Sequence, residues 1–208
     1  LGNLTQTVGL ANGEYIWLLG DDDLIHQGAL DKIFKIFENS PDLINLNYKY
    51  STNSSAPTIK SLEEYFNQSN IICNGHDSKK GLVKEISHFN ENFYTAIYTF
   101  IVKRKFAKRI FSQDTTGTPF SSLKTCVPSS KYILTNMLDL NGYWCNEPLI
   151  TINMNVSWGE YTLPWILERV PDVYDLAEFH GVQKNLVDRW RNHTLKAIPS
   201  FFDQVFQN

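Results

Sequence analysis

"GEYIWLLGDDDLIHQGAL", Gly13 to Leu30, decides how this chain is read. An apolar run, Tyr15-Ile16-Trp17-Leu18-Leu19, stops at Gly20 and is followed by Asp21, Asp22 and Asp23. A short apolar run bounded by glycine has the length of a buried strand. Three carboxylates at its end repel one another, and each is costly to desolvate. They become favourable where something positive sits among them. Mg²⁺ is one such group, because it takes oxygen ligands, typically one or two carboxylates with substrate phosphates completing the shell. Gly20 would let a ligand approach the backbone closely. The bland alternative is an acidic turn before a helix N-terminus, where the dipole favours aspartate.

Working outward, Gly28 to Glu38 carries Leu30, Ile33, Phe34 and Phe37 at helical spacing, and Asn39-Ser40-Pro41 ends it. Asp42 to Tyr50 ("DLINLNYKY") reads as a second strand. Strand, helix, strand predicts a parallel pair, an α/β fold, and ligand binding at the carboxyl ends of the strands. Glu14 to Leu19 would then be a central strand. Upstream, residues 3–11 read as a helix closed by Asn12-Gly13. Downstream, Ser51 to Thr58 is a polar loop, and Ser61-x-x-Glu64 is a capping box opening a short helix. Ala96 to Lys103 reads as a strand, Ser129 to Leu140 as a helix, and Tyr143 to Asn146 and Leu149 to Met154 as strands split by a Glu147-Pro148 turn. From Gly159 the texture becomes helical over about 160–169, 172–191 and 194–206.

Composition narrows the function classes. The chain has 208 residues, 42% hydrophobic and 13% aromatic, enough for one sizeable core. A net charge of −3 argues against a basic nucleic-acid surface. Cys73, Cys126 and Cys145 are widely spaced and odd in number, which predicts free thiols in a reducing compartment rather than a zinc site or disulfide framework. The five histidines show no ligand spacing; His26, three residues after Asp23, reads as a solvated turn residue or a phosphate contact. Apolar stretches such as "TAIYTFIV" are far below the roughly 20 residues of a membrane span. The basic segment Lys103 to Arg109 reads as a solvated helix face, or as an attractor of lipid-linked phosphate. The chain begins at Leu1, without methionine, and reaches its acidic turn almost at once, the pattern of a fragment.

"LANGEYIWLLGDDDLIHQGALDKI" resembles the family-two, GT-A-type glycosyltransferases, on Ala11, Gly13, Tyr15, Ile16, the aspartates and Gly28-Ala29-Leu30. The "GDDD" form looks like the abequosyltransferase-like branch, which decorates bacterial surface polysaccharides. The resemblance implies a GT-A-like, Rossmann-related mixed sheet flanked by helices over 1–158, and 159–208 remains a helical appendage. It implies a DxD site in which Asp21, Asp22 and Asp23, with Gly20, hold Mg²⁺ or Mn²⁺ and the diphosphate of a nucleotide-sugar, the metal acting as Lewis acid toward the leaving group. Two departures stand out. Nothing in this chain corresponds to the nucleoside-binding half that precedes the DxD strand in the family. The "ED" pair of inverting members is replaced by "CVPSSKY", Cys126 to Tyr132, without a carboxylate.

These readings give one leading expectation. The chain is a metal-dependent, inverting hexosyl- or deoxyhexosyltransferase moving sugar to a saccharide or lipid-linked saccharide acceptor in capsule or O-antigen synthesis. Asp114 is the candidate base, since a sugar hydroxyl needs one. Trp158 and Trp165 are candidate acceptor contacts, because an indole offers an apolar face to a sugar ring. A cytoplasmic location is expected, with peripheral contact at the inner face of the membrane and self-association left open. Two alternatives stand beside it: a non-catalytic GT-A-like saccharide- or partner-binding domain, and another Mg²⁺-dependent enzyme of nucleotidyltransferase type.

Overall fold

The structure, a computed structural model, describes residues 2–20, 23–51, 70–71, 76–153 and 159–206. Asp21, Asp22, Cys73, Trp158 and the capping box at Ser61 and Glu64 lie outside the described residues. In chain order the elements are α1 (Gly2–Leu10), β1 (Tyr15–Trp17), β2 (Leu24–Ile25), α2 (Ala29–Phe37), β3 (Leu43–Ser51), β4 (Asn70–Ile71) and β5 (Lys79–Leu82). A helical turn, Val83–Ile86, leads on towards β6 (Phe100–Lys103) and α3 (Arg104–Phe111). Then come α4 (Pro128–Asn136), β7 (Asn141–Asn153), α5 (Val170–Phe179) and α6 (Lys184–Phe206).

The strands form one mixed sheet in the order β1-β6-β3-β7-β2, with β4 added to β3 and β5 to β7. β3 and β7 are parallel, while β6 is antiparallel to both β1 and β3. The strand–helix–strand unit therefore does run parallel, but β1 and β3 are not neighbours: β6 is inserted between them. This corrects the expectation of an adjacent pair and of a central β1, which instead ends the described strand order and is only three residues long. β1, β3 and β7 still point the same way, so their carboxyl ends gather on one edge.

Local chemistry explains the other departures. Residues 141–153 make one strand rather than two. Its register against β3 slips around Asn47, so the Glu147-Pro148 pair is absorbed as a bulge. The helix before it ends at Asn136, and Asn141-Gly142 opens the strand instead of closing the helix. The predicted strand over Ala96 to Lys103 survives only from Phe100, because Ile97–Thr99 forms a 3-10 turn closed by the Thr99 amide and hydroxyl on the Ala96 carbonyl. The last helical break falls at Gly181, whose φ of +87° suits a residue without Cβ, and not near residue 191. Pro199 lies within α6.

Two layers cover the sheet. α2 buries Ala29, Ile33 and Ile36 against Ile44, Leu46, Ile101 and Leu149. Its buried stripe is thus rotated from the one read in sequence: Leu30 and Phe34 are 51% and 61% exposed. On the other side one continuous cluster runs from Val8, Leu43, Val102 and Phe106 through Ile133 and Trp144 to Val173, Tyr174, Val187 and Trp190. The helices after residue 159 share this core with the sheet. The Lys103 to Arg109 segment is amphipathic: Phe106, Ala107, Ile110 and Phe111 are buried, while Lys105, Lys108 and Arg109 face solvent. Among the described residues no helix is long and apolar enough to cross a membrane.

Candidate active site

The acidic turn closes on itself through Asp23. The Gly20 amide donates to Asp23 Oδ2 at 2.8 Å, and the Asp23 amide donates to the Gly20 carbonyl at 3.4 Å. The other carboxylate oxygen accepts from the Asn153 amide at 3.4 Å. Asn153 is the last residue of β7, and Trp17 and Ser51 end the parallel-running β1 and β3. Asp23 therefore sits at the carboxyl edge of the sheet, where α/β folds place ligands. Immediately after it, β2 pairs antiparallel with β7, matching Leu24 to Thr151 and Ile25 to Ile150. This two-residue strand ties the turn to the exit of β7.

His26 completes that tie. Its amide donates to the Leu149 carbonyl, and its Nε2 hydrogen-bonds Thr151 Oγ1 at 2.8 Å. It is a seated residue rather than the solvated turn residue read from sequence. Burial, with the positive charge of Lys49 adding to it, holds its imidazole below the ordinary range, so it favours the neutral form.

Behind the turn lies an aromatic floor. Tyr48, Ala96, Ile150 and Ile152 are buried together, with Trp17, Leu19, Tyr50 and Tyr98 packed against them. Trp17 Nε1 donates to the Tyr98 carbonyl at 2.9 Å, and the rings of Tyr48 and Tyr98 meet edge to face at 5.9 Å. Burial first, and then the negative charge of Asp23, push the Tyr98 phenol well above its usual range, leaving it a neutral hydroxyl. None of Trp17, Tyr48, His26 and Tyr98 was singled out as a floor or anchor from sequence. The one available signal was the amides of "LINLNYKY", polar groups on a buried strand that need partners.

Asp114 and Trp165 are each held by contacts of their own. The Asp114 carboxylate accepts from the Thr116 amide and hydroxyl and pairs with Lys124 at 2.9 Å. The bonds to Thr116, reinforced by Lys124, hold it far below the usual carboxylate range. A carboxylate so stabilised is a weak proton acceptor, and its geometry is that of a turn anchor. Trp165 is partly buried against the main core and meets Phe120 edge-on, while Phe120 stacks flat on Tyr161 at 4.7 Å. In "CVPSSKY" the Ser130 hydroxyl donates to the Tyr94 carbonyl and is completely buried.

Solved structures of S. aureus TarS share this architecture. TarS 1-349 superposes with a TM-score of 0.51 at 11% identity, covering 96% of this chain and 51% of that one. Its complex with UDP gives 0.50 at 12% identity over 96% and 51%, and its complex with UDP-GlcNAc 0.50 at 11% over 92% and 50%. The fold is GT-A-like. The chain spans about half the length of these TarS structures. No protein-family model matches the chain, and no curated protein matches it in sequence.

Carboxylate oxygens suit a hard cation. Among the described residues no three His, Cys, Asp or Glu side chains gather as a metal site. Asp23 could therefore serve as one ligand, with the neighbouring Asp21 and Asp22 as the further carboxylates that the sequence offers.

Proposed function

We propose that this chain carries the diphosphate- and acceptor-handling part of a nucleotide-sugar-dependent glycosyltransferase. The observation supporting this most directly is the position of Asp23, fixed at the carboxyl edge of β7 within a fold shared with structures that hold UDP and UDP-GlcNAc. In this reading Asp22 and Asp23, with Asp21, hold Mg²⁺ or Mn²⁺, whose charge offsets that of the leaving diphosphate. Gly20 keeps the turn open to the phosphates. Trp158 and Trp165 border the acceptor, and the acceptor is a saccharide or lipid-linked saccharide of the bacterial surface. Transfer with inversion needs a base at the acceptor hydroxyl, and we leave that role unassigned.

The fixed Ser130 and the turn-bound Asp114 favour one second reading, a GT-A-like domain that binds nucleotide-sugar without turnover. Both readings are tested on the full-length protein. Calorimetry should show UDP binding that depends on Mn²⁺ and weakens at least about tenfold in Asp22→Asn and in Asp23→Asn, since each removes a ligand and a charge. Unchanged metal-dependent binding in both variants would remove the aspartates from the site. UDP release from UDP-sugars in the presence of oligosaccharide acceptors separates transferase from binding domain.

A further inference from the structure

The segment between Asn90 and Thr99 is irregular, yet it is pinned from several sides. Inside the fold, three fully buried polar side chains form a relay. Asn90 Nδ2 donates to Asn45 Oδ1 at 3.1 Å, and Asn45 Nδ2 donates to Thr99 Oγ1 at 2.8 Å. The Thr99 hydroxyl in turn donates to the Ala96 carbonyl at 2.7 Å, and Asn90 Oδ1 accepts from the Asn92 amide at 2.9 Å. The relay thus grips both ends of the segment and anchors them to Asn45 of β3. At its middle Ser130 holds the Tyr94 carbonyl. On its outer side α6 holds Glu91 through His193 at 2.8 Å, and Arg189 donates to the His88 carbonyl at 2.6 Å.

Buried amides are tolerated only when satisfied, and an apolar substitute would pack this core more simply. What the relay holds in place is on the ligand edge. Asn92 Nδ2 reaches Tyr48 Oη at 3.4 Å, Tyr98 packs on Tyr48, and the Tyr98 carbonyl takes the Trp17 indole. Those rings pack on Ile152, the neighbour of the Asn153 amide that anchors Asp23.

We propose that the Asn45–Asn90–Thr99 relay is a positioning device for the acidic turn: it sets the Tyr48–Tyr98 floor against which Asp23 is presented to a cation-bound diphosphate. The inference rests on the transferase-type reading above, and its test separates the two. Thr99→Val keeps shape and deletes the hydroxyl; Thr99→Ser restores it. The readout is the ratio of UDP affinity with and without Mn²⁺ on full-length protein, measured well below each variant's melting temperature. A purely structural role lowers stability and leaves this ratio alone. Thr99→Val should cut the ratio about tenfold, the upper scale of one neutral buried hydrogen bond, while Thr99→Ser stays within about twofold of the parent. Should Thr99→Val fail to fold, Asn92→Ala, at a half-buried position, should cut the ratio in the same direction. A parental ratio in the folded hydroxyl-deleting or Asn92 variant overturns the relay's role while leaving the functional reading intact. UDP binding by the parent protein that is indifferent to Mn²⁺ overturns the functional reading, and this inference with it.

Discussion

Trp190→Ala tests whether the helices after residue 159 belong to the core or merely decorate it. Trp190 lies on α6 and is 1% exposed. Its ring meets Tyr94 edge-on at 5.5 Å and lies against Tyr174 of α5 at 6.1 Å. It therefore joins the segment behind the candidate site to both terminal helices. Truncating a buried tryptophan to alanine costs about 3–5 kcal/mol, from lost transfer energy plus the cavity left behind. One term lowers the figure here: the Trp190 indole N–H has no hydrogen-bond partner among the described residues, so its removal also relieves a buried donor. We expect about 3 kcal/mol. With an unfolding entropy of about 2.1 cal/mol/K per residue over this length, that is a fall of about 7 °C in Tm. The assay is a thermal melt with a urea titration, run beside two controls. Trp190→Phe keeps most of the buried area and should cost within about 1.5 kcal/mol. Leu195→Ala, 60% exposed on the same helix, should stay within about 0.5 kcal/mol. A single transition displaced by less than about 2 °C in Trp190→Ala, or a separate low-temperature transition from the helices, would refute the shared core.

Stability should also depend on pH near neutrality. Burial holds His26 and His88 below their ordinary values, so the unfolded chain takes up protons first as pH falls. The stability they permit is present above about pH 6.5 and is lost as pH drops towards their folded values, so Tm should fall between about pH 7.5 and 5.5. His88→Gln should flatten that slope, and a flat or rising parental profile would contradict it. Burial pushes the Cys126 thiol up to about 12 and the Cys145 thiol up to about 11. In a Cys73→Ser background at pH 8, both should react with a disulfide reagent about a hundredfold more slowly in native protein than in urea. Native rates near the denatured ones would mean that the thiols are open to solvent.

The parts of the fold legible in sequence are those decided locally. The Gly13 to Leu30 stretch carries its own punctuation, and the structure keeps the order of strand, acidic turn and helix there, with Gly28 at φ +73° opening α2. Pairing was not legible. β6 begins 49 residues after the end of β3 in sequence but is inserted between β1 and β3, and nothing in "TFIV" states its direction or its neighbours. The buried face of α2 is not legible for a related reason. Leu30 and Phe34 satisfy helical spacing as well as Ile33 and Ile36 do, and only the position of the sheet decides which pair is buried. The Glu147-Pro148 pair looked like a turn because a bulge within a strand and a turn between strands ask for the same residues.

The candidate site divides along the same line. That carboxylates follow β1 is legible, because the apolar run stops at Gly20 and a carboxylate is costly to desolvate within a buried strand. The floor behind them is not, since "AIYTFIVK", Ala96 to Lys103, reads as uninterrupted strand. What breaks that strand is a set of contacts across the fold, with Asn45 reaching 54 residues to Thr99 and Asn90 reaching 45 back to Asn45. Yet "LINLNYKY" held a usable contradiction. A strand buried on both faces has little reason to carry Asn45 and Asn47 among Leu43, Ile44 and Leu46 unless each amide is answered. Asn47 is answered within the sheet, by the Tyr48 amide and the Asn146 carbonyl of the paired strand β7 at the bulge. Asn45 is answered from outside the sheet, by Asn90 and Thr99, and these partners lead to the ring pair behind Asp23. An amide on a buried strand with no partner in its own sheet thus points to the segment that must fold over it. Here that segment is the one backing the acidic turn.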